Sequence, residues 1–88
     1  SIMYESKARE ILAQIIAANQ ANGFAGIDRS PAGIAQRHER MKMGSSPNSR
    51  FGDKDEGIGS DLEQHVINGD LTSDQAVDVL MALYGLGG

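Results

Sequence analysis

The chain has no cysteine and no tryptophan, and only two tyrosines, two phenylalanines and two prolines. Without cysteine there is neither a disulfide framework nor a thiolate metal site. With so few aromatic rings, it lacks the stacking platforms that hold single-stranded nucleic acid. No apolar run approaches the ~20 residues of a membrane-spanning helix. No basic flank leads into an apolar block at the N-terminus, as a secretory signal requires. A cytoplasmic protein is the expectation. β-branched residues are few, and no run alternates cleanly between apolar and polar, so no strand is expected.

What remains is a short, charged chain rich in helix formers. Its 88 residues make one domain, residues 1–88. A chain of this size buries only about 60–65% of its unfolded surface, so stability rests on a thin core or on a partner subunit. The net charge of −4 is unevenly spread. Residues 1–50 carry seven Lys/Arg against four Asp/Glu, and residues 51–88 carry one against eight. The basic half and the acidic half attract each other on folding, or one of them meets a partner of opposite sign.

Four segments have helical patterning, which predicts an all-α bundle of three to four short helices. In residues 4–22, Tyr4, Ala8, Ile11, Ile15 and Ala18 recur every three or four positions, widened by Leu12 and Ile16. Asn22-Gly23 then supplies a left-handed stop, and Phe24 and Ile27 are expected to fold back on the stripe. In residues 31–43, Ser30 is the N-cap and Pro31 the first helical residue, with Ile34, His38 and Met41 on one side. Gly33 weakens this helix by roughly 1 kcal/mol relative to Ala. Residues 44–59, "GSSPNSRFGDKDEGIG", have the composition of a flexible loop. Helix 60–68 begins at Ser60 with Glu63 three residues on, and helix 73–85 follows Thr72 with Gln75 three residues on; both spacings read as capping boxes.

The last helix raises the functional question. Ala76, Val77, Leu80, Leu83 and Tyr84 make its expected stripe. Val79, Met81 and Leu86 fall beside or beyond it, which is more apolar surface than the ~100° face of an ordinary surface helix. Val79, Met81, Leu83 and Leu86 are therefore the candidate apolar contacts to a partner. Asp53, Asp55, Glu56, Asp61, Asp70, Asp74 and Asp78 are the candidate acidic contacts that would steer a basic one. The expected function is a small non-catalytic protein-binding or regulatory module, an inhibitor or adaptor of a larger protein. A second reading is a structural protein whose partner is another copy of itself. In a third, Arg29, Arg37, Arg40, Lys42 and Arg50 lie along nucleic-acid phosphates, although the acidic half opposes this.

Chemistry finds little purchase. An EF-hand loop begun at Asp53 would need Gly at its sixth position and Glu at its twelfth, where Ile58 and Gln64 stand. His38 and His65 are the only imidazoles and lie far apart in sequence. Neither a G-x-S-x-G elbow nor a phosphate-binding glycine loop is present. No metal, cofactor or catalytic activity is expected.

Overall fold

A computed structural model of the protein describes residues 2–43 and 57–86. Four helices follow in chain order: α1 (Ile2–Ala21), α2 (Pro31–Met43), α3 (Ile58–Asn68) and α4 (Ser73–Leu83). No strand occurs among the described residues, so the all-α class holds. Of the expected loop 44–59, residues 44–56 lie outside the described residues. Ile58 and Gly59 instead open α3.

The core is built by α1, α3 and α4. Ala8 and Leu12 come from α1, Ile58, Leu62 and Val66 from α3, and Ala76, Val79 and Leu80 from α4. Leu71, in the turn between α3 and α4, closes it. α1 runs antiparallel to α4: Tyr4 lies against Gly85 at one end, and Asn19 bonds Gln75 at the other. The fifteen residues from Tyr4 to Asn19 separate those ends by about 22 Å at 1.5 Å per residue. α2 packs on α3 from outside the core, contributing half-buried Met41 at its edge.

Local chemistry sets most helix ends. Ser30 Oγ accepts from the Gly33 amide at 3.2 Å, capping α2 as expected. Gly33 belongs there for a reason that propensity misses: a Cβ would collide with the Asp28 backbone and side chain. Thr72 and Gln75 form the full reciprocal capping box at α4. Ser60 and Glu63 do not. α3 starts at Ile58, Gly57 precedes it with no side-chain cap, and Ser60 is the third residue of the helix. Ile58 is almost wholly buried, so core packing draws the start two residues upstream of the polar signal.

Three helices stop in the same way. After α1, the Phe24 amide reaches Asn19 O at 2.7 Å and the Gly23 amide reaches Gln20 O at 3.0 Å. After α3, Asp70 reaches His65 O and Gly69 reaches Val66 O; after α4, Leu86 reaches Met81 O and Gly85 reaches Ala82 O. Each is a Schellman closure, and Gly23, Gly69 and Gly85 each carry the left-handed φ it demands. Phe24 does not fold onto the α1 stripe. It has φ 54, is half-buried without being among the side chains packed against the core, and takes the Arg29 guanidinium 3.7 Å over its ring.

Candidate interaction surface

The two ends of the bundle use their side chains in opposite ways. At the α3–α4 turn, polar groups from all four helices and from the α1–α2 connection converge. Asp70 accepts from Arg29 at 2.9 Å with one carboxylate oxygen and meets His65 Nδ1 at 2.7 Å with the other. Asn19 of α1 donates to Asp70 O at 3.0 Å and to Gln75 Oε1 at 2.8 Å, and Gln75 donates back at 3.3 Å. Arg37 of α2 donates from Nε to Ile67 O at 3.0 Å, next to the C-terminus of α3, where a cation is favoured. A second nitrogen of Arg37 is buried there with no hydrogen-bond partner among the described residues.

This network decides the standing of many sequence candidates. Arg29 and Arg37 are engaged within the chain, so of the basic set only Arg40 and Lys42 are exposed without a salt bridge among the described residues; Arg50 lies outside them. Asp70 is engaged likewise. Asp61 pairs with Arg9 at 3.1 Å, and Arg9 also holds Glu5 at 3.3 Å. The Asp61 hydrogen bond above all pushes the Arg9 guanidinium further above its usual value. These groups are largely exposed, so each pair contributes no more than about 1 kcal/mol. Asp53, Asp55 and Glu56 lie outside the described residues. Asp74 and Asp78 are exposed and in no salt bridge among the described residues.

The apolar candidates divide as well. Val79 is completely buried and fills the core; it cannot contact a partner. The buried residues of α4 are Ala76, Val79 and Leu80, a stripe rotated from the expected one. Leu83 is half-buried against the core. Met81 and Leu86 are exposed by 38% and 61%, and Tyr84 and Tyr4, which periodicity places on buried stripes, by 53% and 48%. Gly85 carried the missed signal for Tyr84: a closing glycine makes the residue before it the C-cap, already half outside the helix.

The outer face of α4 therefore runs from acid to apolar. Asp74, Asp78 and Met81 follow one another at four and three residues on a single stripe, and Tyr84 and Leu86 continue at its end.

An open groove of about 690 Å³ lies between α2 and α3, with Ile34 and Ile67 on its walls and His38, Ser60 and Glu63 among its polar lining. No hydrogen bond among the described residues joins His38 to Ser60 or Glu63 in this groove. Among the described residues no three His, Asp or Glu side chains come together as metal ligands, and no helix is long and apolar enough to cross a membrane. Compared with protein-family models, with characterised proteins and with solved structures, the chain gives no match.

Proposed function

We propose that the chain is a small non-catalytic protein-binding module that docks a partner on the outer face of α4. Asp74 and Asp78 steer and orient a basic group, and Met81, Tyr84 and Leu86 supply the desolvated contact. The observation that carries this reading is the acid-to-apolar stripe itself. It extends about 15 Å from Asp74 to Tyr84 and is exposed throughout. The nucleic-acid alternative has less support, because two of its five cations are already spent on Asp70 and Ile67 O.

A photo-crosslinking residue placed at position 81 in the source cell tests the reading. A protein crosslink that disappears when Asp74 and Asp78 are changed to Lys supports it. Crosslinks obtained from position 13 on α1, and none from 81 or 84, would move the contact off α4.

A further inference from the structure

The chain carries a surface complementary to that face. In the last turn of α2, Arg40 and Lys42 are exposed and enter no salt bridge among the described residues. Met43 beside them is 84% exposed, the most exposed large apolar side chain described. Arg40 and Met43, three apart, share one side of the helix, and Lys42 adds a second cation to the same turn; Glu39 is the one acid among them. On α4, Asp74, Asp78 and Met81 present the opposite charge beside the same kind of apolar group.

Helix dipoles explain part of this. Cations in a last turn and an acid in a first turn each stabilise their own helix, which accounts for Arg40, Lys42 and Asp74. It does not account for Asp78, a turn deeper into α4, nor for an apolar Met43 left in water. The other arginines among the described residues, Arg9, Arg29 and Arg37, are held by Asp61, Asp70 and Ile67 O. Lys7 of α1 is likewise exposed and in no salt bridge among the described residues, but it is a single cation with Glu10 three residues on. α2 packs on α3, and among the described residues no ion pair joins its tip to the outer face of α4.

We infer that the outer face of α4 receives the tip of α2 from a second copy of the chain. Asp74 and Asp78 meet Arg40 and Lys42, and Met81 meets Met43. This inference rests on the reading of α4 as a docking face and names its occupant. The two surfaces differ, so the contact is head to tail and produces rings or open chains, not a two-fold dimer.

Sedimentation velocity over a concentration series tests it. The wild type associates at high concentration, and raising salt from about 0.1 M to about 1 M, which shortens the screening length from ~10 Å to ~3 Å, weakens the association. D74K/D78K and R40E/K42E each lose association by at least about tenfold, as expected when like charges replace a matched set. Each variant alone carries one sign on both surfaces; mixed together they associate again, and so does the fourfold variant. Helical circular dichroism confirms that each is folded, and Met43→Asp offers a single-site loss at a position that supports no core contact.

A chain that stays monomeric at millimolar concentration overturns the inference, as does association indifferent to both charge swaps or a mixture that fails to restore it. A monomer whose position 81 still crosslinks another protein overturns the second copy while leaving the docking face in place. Salt-sensitive binding of labelled duplex DNA, lost in R40E/K42E but not in D74K/D78K, assigns the tip of α2 to nucleic acid and overturns the inference equally.

Discussion

α3 and α4 end with the same backbone device and opposite side-chain chemistry. In each Schellman closure, the residue two beyond the C-cap bonds the carbonyl three before it. After α3 those two positions are Asp70 and His65, which pair at 2.7 Å and are tied further by Arg29 and Asn19. After α4 the same positions are Leu86 and Met81, both exposed. The closure frequently brings an apolar contact between these positions, so part of their apolar character serves the helix stop. It does not require them to be as large or as exposed as they are, nor does it call for Tyr84 between them. One closure fastens the bundle; the other presents a surface.

The comparison predicts a steep difference in stability between the two ends. Leu71→Ala, at the fastened turn, should cost about 2–5 kcal/mol, the range for a buried leucine. Leu86→Ala should stay within about 0.5 kcal/mol of the wild type, as surface changes do. Urea unfolding measures both, and similar losses would erase the distinction. Asn19→Ala comes next, with an expected loss of about 1–2 kcal/mol, because it unpairs the half-buried Gln75 amide and the Asp70 carbonyl together.

Thr72→Ala against Ser60→Ala sharpens the contrast within one hairpin. The first removes a true cap and should cost about 1 kcal/mol. The second removes a serine inside a helix and should change stability by no more than about 0.5 kcal/mol. Equal effects would restore the capping box that the Ser60–Glu63 spacing suggests.

The smallest effect lies at the start of α2. Hydrogen bonds from Ser30, side chain first and backbone second, hold the Asp28 carboxyl below the usual carboxylate range. A depressed folded pKa contributes stability above the unfolded value and loses it as pH falls through the folded one. The first turn of α2 should therefore loosen only below about pH 4, near the unfolded carboxylate value. Amide chemical shifts of Ser30, Ala32, Gly33 and Ile34 would report this, and in Asp28→Asn the same acid titration should leave them flat.

How much the sequence reveals follows from the range of the interaction. Ser30, Thr72 with Gln75, and the glycines at 23 and 69 were legible because cap and partner lie within five residues. Ser60 with Glu63 has the same spacing, yet the burial of Ile58 against residues distant in sequence overrides it. On α4 a 3.6-residue period admits either Val77 or Val79 to the buried stripe. Burial in the core cluster, which Ala8, Leu12 and Leu62 of the other helices also build, selects Val79. Arg29 and Arg37 read as free cations because Asp70 and Ile67 stand 41 and 30 residues away. The acid-to-apolar face was legible in composition, while its member Tyr84 became visible only once the end of α4 was placed.

Urea unfolding of the double variant Met81→Gln, Leu86→Gln tests most directly whether the open end of α4 is surplus to the fold. The account predicts stability within about 1 kcal/mol of the wild type, since neither side chain is part of the core. A loss on the scale of Leu71→Ala would mean that these side chains hold the bundle together and leave no face for docking.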